Sequence, residues 1–556
     1  MKQVINDILI ILRHNEKRKW WLLLAADVCM SILDIAFLMA LLFVTSFYTQ
    51  PAQHFAGSRF SNEIFTSYPV LLMAVFFVLF TLKNWAAFIV SAMQYRFVYN
   101  IAARISRENL QQYLEGNFLD FVHTDSSVVN RRINQQPIEF CHYVLNGVQQ
   151  MIGQAVLVFI TIVAVLIFNP MLFPLLLLIL VPPVILVGWV IKTKLNAGRV
   201  HGKKTSEKAI QHLQEALYGF VESNIYRKNE YFINRYHRMQ TRLNHYLSQR
   251  LILQTMPSRL MEVFAVFGLM VLVVVNAFTA HGNAISLVTI GALMVAAYKI
   301  IPGIVKITNT AGQVKTYAFA AADIAAAAQL PLQAQRYENR VASIAFENVC
   351  FNYPGRHVFH SVSFEMKKGD FAIVPGLSGK GKTTLINLLL GFLSQETGEI
   401  FINGAPADKK KRQSCWAGIA YAKQQSFFLH ASIIENISLQ ETSHDECKMQ
   451  QVLAISGLDK LVHTFQHGLE TVIAENGRNF SGGQRQRIIF ARALYKDFDL
   501  LILDEPFSEL DEPSEFQLLQ ELRKMADRGK MILLITHNAN ALSFGNKKIL
   551  LNEREQ

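Results

Sequence analysis

Three short stretches of this chain carry residues whose types and spacing could do chemistry. The first is Gly376, Leu377, Ser378, Gly379, Lys380, Gly381, Lys382, Thr383 and Thr384, a G-x-x-x-x-G-K-[ST] run. An apolar, strand-like segment (Phe371 to Val374) precedes it and an apolar helical segment follows, the context in which such a loop cradles phosphates. The glycines let the backbone curl so that its N–H groups face a phosphate chain, and the helix start adds partial positive charge. Lys382 is placed to reach the β- and γ-phosphates of a nucleotide, and the Thr383 hydroxyl to ligate Mg²⁺. The second is Asp504 and Glu505, two acids at the end of the apolar run Leu500 to Leu503. Asp504 suits the hydration shell of Mg²⁺, and Glu505 suits polarisation of an attacking water. The third is Phe480, Ser481, Gly482, Gly483 and Gln484, ahead of a helical run. N–H groups at such a helix start form an anion site, although by themselves these residues make an ordinary cap.

These groups must be positioned by a chain of 556 residues, long enough for about three or four domains. Composition overrides that count. The chain is 51% hydrophobic and 17% charged, and the apolar residues crowd into the first 310 positions, the profile of a membrane domain joined to a soluble one. The net charge of +12 reads as Lys/Arg enrichment in cytoplasmic loops rather than as a nucleic-acid surface. Cys29, Cys141, Cys350, Cys415 and Cys447 are scattered, without C-x-x-C spacing, which supports neither a metal site nor a disulfide framework.

Residues 1–19 put their charges (His14, Lys17, Arg18, Lys19) after an apolar run. That order is the reverse of a cleavable signal and predicts an amphipathic segment at the cytoplasmic surface, with Trp20 and Trp21 at the membrane interface. Six spans, each long enough for ~30 Å of hydrocarbon, are expected at 20–48, 67–93, 141–168, 170–192, 256–280 and 285–307. Asn169 and Pro170 would form a tight external hairpin, and 281–284 a short external link. The long loops near 94–140 and 193–255 are polar and helical in pattern. The second is dense in Lys and Arg, which places these loops and both termini in the cytoplasm. Turns at 121–127 and 226–231 are candidates to touch a soluble partner. The external loop 60–65 could form a short helix near lipid. The domain reading is an interfacial segment at 1–19, an all-α six-span domain at 20–325, a linker at 326–342 and an α/β P-loop nucleotide-binding domain at 343–556.

Further residues of the soluble part complete a pattern. The segment from Phe480 to Gln484 resembles the signature loop of ATP-binding cassette proteins, and the order of the remaining motifs agrees. Tyr353 resembles the aromatic that stacks on adenine. Gln424 resembles the loop glutamine that senses γ-phosphate and Mg²⁺. Ser508 to Asp511 resembles the aspartate loop at the dimer interface. His537 resembles the switch histidine. Six spans with long cytoplasmic loops resemble the exporter branch. The resemblance implies ATP and Mg²⁺ as cofactors, Glu505, His537 and Gln424 as catalytic residues, and Thr383, Gln424 and Asp504 around the metal. Its departures are Phe480 for a usual Leu, Glu509 for a small residue, and Lys423 for a usual Pro; none removes a catalytic group. In this family a signature loop completes the site of a second copy, so one chain implies a dimer. Two complete sites favour a homodimer over pairing with a different half.

Ionisable residues inside spans are costly and mark candidate substrate sites. Here they are Asp27, Asp34, Lys83, Arg259, Glu262, Lys299 and Lys306. Lys299 and Lys306 are seven apart and share a helix face. Internal pairing of Asp with Lys is one reading, and a basic lining for an anionic substrate is the other. Ala297 to Ile307 resembles the sixth-span pattern of bacterial lipid-linked oligosaccharide flippases; Pro257, Arg259 and Glu262 resemble the fifth-span segment, and Lys83 falls at a second-span basic position. The resemblance implies that Lys83, Arg259, Lys299 and Lys306 engage the substrate's pyrophosphate. Three of the four are Lys, which lacks the bidentate fork of Arg. The expectation is a homodimeric exporter or flippase in the bacterial inner membrane, its cassette in the cytoplasm, moving an anionic lipid-linked saccharide or similar amphiphile. A multidrug or peptide exporter and a regulatory cassette ATPase remain as alternatives.

Overall fold

The computed structural model describes residues 1–49, 69–116, 124–168, 204–279, 287–329, 340–353, 355–376, 381–424 and 427–551, with Phe118 and a few other isolated positions. The chain divides into two compact units, Met1–Gly116 with His123–Leu332, and Asn117–Val122 with Gln333–Gln556.

The first unit is helical: α1 (Lys2–Ile11), α2 (His14–Thr49), α3 (Pro69–Leu114), α4 (Asn146–Phe168), α5 (Asn229–Thr279) and α6 (Leu287–Ala328). A continuous helical stretch from Ser126 leads into α4 and widens into π-turns at Arg131–Gln135 and Phe140–Leu145. Among the described residues, three stretches are long and apolar enough to cross a membrane: His14–Leu41, Met73–Leu114 and Ser126–Ile167. Helices α5 and α6 run through the fifth and sixth expected spans. The fourth span (170–192), the hairpin at Asn169 and Pro170, and the loops at 60–65 and 281–284 lie outside the described residues. So do linker positions 330–339; α6 itself continues to Ala328, past the expected start of the linker.

The N-terminal segment departs from expectation. The apolar stripe of α1 (Val4, Ile8, Ile11) is buried in a cluster with Ile101 and Ile105 of α3 and Ala320 and Ile324 of α6. An ion network tightens this joint: Arg104 donates to Glu16 at 2.8 Å, to Glu108 at 2.6 Å and to the Ile11 carbonyl at 3.1 Å. Helix neighbours therefore satisfy an apolar face that the periodicity alone assigns to lipid. Trp20 is likewise buried, whereas Trp21 is exposed.

The second unit is layered α/β. A four-stranded antiparallel sheet, in order β2-β1-β4-β5, comprises β1 (Ser343–Tyr353), β2 (Arg356–Lys367), β4 (Thr397–Ile402) and β5 (Ala405–Pro406). A five-stranded parallel sheet, in order β6-β7-β8-β3-β9, comprises β3 (Phe371–Pro375), β6 (Ile419–Ala422), β7 (Leu500–Asp504), β8 (Met531–Thr536) and β9 (Lys547–Lys548). Strands β7 and β8 are buried on both faces, which explains their unbroken apolar runs. Alternate residues serve different cores. Phe371, Ile373, Leu501, Leu503, Ile532 and Leu534 face one cluster. Ala372, Val374, Leu500, Ile502, Leu533 and Ile535 face the other. Three helices matter for the site: α7 (Lys382–Leu389), α8 (Gly482–Tyr495) and α9 (Glu512–Asp527).

Candidate functional site: a phosphate loop at the strand ends

Parallel register brings the candidate residues together. Pro375 pairs with Thr536, Asp504 with Ile535, and Ala422 with Leu503. The carboxyl ends of β3, β6, β7 and β8 therefore lie side by side. Gly376, Gln424, Glu505 and His537 emerge at that edge, where ligands of open parallel sheets bind.

Glu505 is the hub. Its carboxylate accepts from Lys382 Nζ at 2.8 Å on Oε1 and from Gln424 Nε2 at 2.8 Å on Oε2, while His537 Nδ1 stands 3.9 Å from Oε1. Lys382 also donates to the Gly376 carbonyl at 2.9 Å. The Glu505 backbone has φ +50° and donates its N–H to the Ile535 carbonyl at 3.0 Å. That left-handed conformation is costly for a non-glycine residue, and the sheet holds it so that the side chain turns back over the strand ends.

Asp504 ends β7 and is 5% exposed. Burial pushes its carboxyl above the usual range and the Glu505 carboxylate adds to the rise; Lys382, Lys423 and a hydrogen bond with Tyr421 pull it back. Burial likewise pushes the Tyr421 hydroxyl up. An acid in this condition is under-compensated and suits a cation. Thr383 is exposed in the first turn of α7, on the same loop as Lys382. Lys382 and the first-turn N–H groups of α7 could hold a polyphosphate, and Thr383, Asp504 and Gln424 a divalent ion. A carboxyl whose pKa is raised on folding weakens the fold at neutral pH and ceases to do so as pH falls through its folded value. Asp504→Asn is therefore expected to raise Tm at neutral pH while removing Mg²⁺-dependent activity. In thermal melts the difference in Tm from the parent narrows in weak acid.

Gly381 needs its glycine. It has φ +85°, and a Cβ there would meet Val358 Cγ1 at 2.7 Å and Phe359 Cε1 at 2.8 Å. Leu377, Ser378, Gly379 and Lys380 lie outside the described residues. Thr384 is buried. Tyr353 ends β1, 38% exposed, edge-on to Phe351 with centroids 5.0 Å apart.

The signature segment opens α8. Ser481 caps the helix with a capping box: Gln484 N donates to its hydroxyl, and Gln484 Oε1 accepts from Ser481 N at 2.9 Å. Phe480 is buried against Phe465, with centroids 5.3 Å apart. Asp511 caps α9 by accepting from Ser514 N, and its hydrogen bonds to Ser514 hold its carboxyl below the usual range.

Three features were not anticipated from sequence. Tyr421 reaches Asp504, and its only signal is its place on the strand before Gln424. Glu515 accepts from Asn538 Nδ2 at 2.7 Å, tying α9 to the residue after His537. Arg412, 1% exposed, donates to the Leu388 and Leu393 carbonyls at 2.7 and 3.3 Å and so caps the far end of α7. Burial lowers its pKa to about 10, so it stays charged at neutral pH. The segment Asn117–Val122 groups with this unit, and the Phe118 ring packs at a tilt against Phe392, with centroids 4.8 Å apart. It overlaps the start of the expected turn at 121–127, of which Phe121 and His123 lie outside the described residues.

In the helical unit, the basic candidates are not alike. Lys83 and Lys299 both pair with Asp34, Lys299 at 3.2 Å. Arg259 is exposed and pairs with Glu262 at 3.1 Å. Lys306 is exposed on α6 and acts electrostatically on Asp27. The internal pairing that the sequence left open is thus present for Lys83 and Lys299.

Residues 20–298 match the family model of the ABC transporter transmembrane region, and residues 359–508 that of the ABC transporter. The chain belongs to the ABC transporter family. It is a membrane protein, and its second unit is the ATP-binding cassette. A lipid A-core flippase described as ATP-dependent, from Ralstonia nicotianae, is 27% identical over 365 residues, 64% of this chain and 61% of that relative. One of the same name from Cupriavidus metallidurans is 27% identical over 350 residues, 61% of this transporter and 59% of the relative. The matched part thus spans less than two thirds of these relatives. A putative export ATP-binding/permease protein from Rickettsia prowazekii is 33% identical over 214 residues, 38% of this chain and 37% of that one. Among solved structures, a bacterial Atm1-family ABC exporter with ATP bound superposes with TM-score 0.75, covering 96% of this chain and 94% of that one at 17% identity. That likeness establishes the exporter-type fold.

Proposed function

We propose that this transporter is one half of an ATP-hydrolysing exporter that acts as a homodimer in the bacterial inner membrane, its cassette in the cytoplasm, and moves an anionic lipid-linked saccharide or similar amphiphile. The observation that carries the reading is the Glu505 carboxylate held at once by Lys382 and Gln424, beside Asp504 and His537. A charged acid so held can orient and deprotonate a water once Lys382 exchanges it for phosphate. Bound Mg²⁺ supplies charge neutralisation at the phosphates. Gln424 reports occupancy of the site to the strand ends, and His537 donates toward the terminal phosphate. Ser481, Gly482, Gly483 and Gln484 of one copy complete the site of the other, with Asp511 at the seam and Tyr353 against the base. Dimer closure and release then bias the helical units between two states.

The substrate class rests on charge. Asp34 offsets one of two lysines, leaving the Asp34, Lys83 and Lys299 group at net +1, with Lys306 further along α6. The lipid A-core flippase relatives support an anionic lipid. ATPase stimulation in proteoliposomes tests this. A lipid pyrophosphate sugar should stimulate where hydrophobic drugs do not. Lys299→Ala with Lys306→Ala should raise the lipid concentration for half-stimulation about tenfold, or about 1.4 kcal/mol. Equal stimulation by drugs, or no shift in the double variant, would replace this substrate class with a multidrug one.

A further inference from the structure

The aspartate loop of this chain carries a carboxylate where it meets the signature loop. Glu509 lies directly over Gly482: a Cβ on Gly482 would run into the Glu509 carboxylate, and one on Gly483 would come within 3.0 Å of the Glu509 carbonyl oxygen. Two side chains of α8 hold the loop there. Gln486 Oε1 accepts from Glu509 N at 2.9 Å, and Gln486 Nε2 donates to Ser508 Oγ at 2.7 Å. Arg485 Nη2 stands 3.6 Å from Glu509 Oε2. The Ser481 cap engages Gln484 N, so the N–H groups of Gly482 and Gly483 have no intrahelical acceptor. A negative side chain therefore sits against the positive end of a 14-residue helix.

We propose that Glu509 is an intramolecular anion that competes with nucleotide phosphate for the signature loop, and so sets the ATP concentration at which two copies close. The proposal rests on the reading above, in which this loop completes the second copy's site. For the phosphates to approach Gly482 and Gly483, the Glu509 carboxylate must swing away or be endured at close range. Repulsion between like charges at a few ångströms opposes closure and is only partly offset by Arg485. Its strength falls with ionic strength, because Glu509 is half exposed. The tether through Gln486 keeps the backbone in place when the side chain moves, so the loop itself need not refold.

The test uses the full-length protein in lipid nanodiscs with spin labels on the two cassettes, in a Glu505→Gln background so that hydrolysis does not consume the complex. The readout is the ATP concentration for half-closure. Adding Glu509→Gln, which keeps the shape and removes the charge, is expected to lower that concentration about tenfold, or 1.4 kcal/mol. The gain should shrink at high salt. Glu509→Ser is expected to do at least as well. An unchanged or higher midpoint for Glu509→Gln overturns the proposal, including the case in which only Glu509→Ser lowers it, because the obstacle would then be bulk. If Glu505→Gln alone shows no ATP-driven closure, the clamp reading itself fails and takes this proposal with it.

Discussion

Replacing Glu505 by Gln is expected to lower Mg-ATP turnover by about 10²–10³-fold while ATP binding persists. The geometry gives both halves of that result. Gln cannot serve as a base, so the water loses its proton acceptor. The substituted amide can still accept from Lys382 or from Gln424 through its one carbonyl oxygen, but not from both, and its NH₂ then faces a donor. Lys382 also loses a charge-assisted partner at 2.8 Å and becomes freer to pair with phosphate. Nucleotide affinity should therefore hold or rise by a few-fold. Phosphate release and nucleotide binding measured on the same preparation separate the two effects. Hydrolysis within tenfold of the parent would remove Glu505 from the role assigned to it.

The second large effect lies in the helical unit. Asp34 on α2 is the shared partner of Lys83 on α3 and Lys299 on α6, which ties three spans together. The Lys83 side chain is 7% exposed, and its ammonium lies 4.8 Å from the Phe80 ring centroid and 5.9 Å from that of Phe37. Removing the carboxylate leaves that ammonium buried without a counter-ion and brings two like charges face to face. Asp34→Ala is expected to cost about 3–5 kcal/mol, the usual penalty for breaking a buried pair from one side. It should lower Tm in detergent by about 5–10 °C. Replacing all three members with apolar residues (Asp34→Leu, Lys83→Met, Lys299→Met) should recover most of the loss, because no charge is then stranded. Equal melting of Asp34→Ala and parent would show that water or lipid headgroups already satisfy the lysines. Recovery of stability without recovery of lipid-stimulated ATPase would separate the structural use of these charges from a substrate-binding one.

Much of the cassette was legible residue by residue because its chemistry is local. A phosphate loop needs glycines at fixed offsets, a capped helix needs Ser481 three residues before Gln484, and strands buried on both faces need unbroken apolar runs such as Leu500 to Leu503. Apolar stretches of bilayer length mark spans for the same reason, that hydrocarbon solvates nothing else. Those constraints, written in spacing, determined the two-part plan, the fold class and the identity of the residues at the strand ends.

Proximity between distant positions is a different matter, and only the tertiary structure decided it. Parallel register, not spacing, put Lys382, Gln424 and Glu505 within hydrogen-bond reach and brought Tyr421 to Asp504, while the packing of α9 brought Glu515 to Asn538. Packing against α3 and α6 buried the stripe of α1 that amphipathicity alone sends to a membrane surface. Asp34, 49 residues from Lys83 and 265 from Lys299, became the counter-ion of both. Glu509 came to rest on Gly482, 27 positions earlier. A side chain's partner across such distances depends on which helices cross and which strands align, and that information is spread over the whole core rather than carried by any motif.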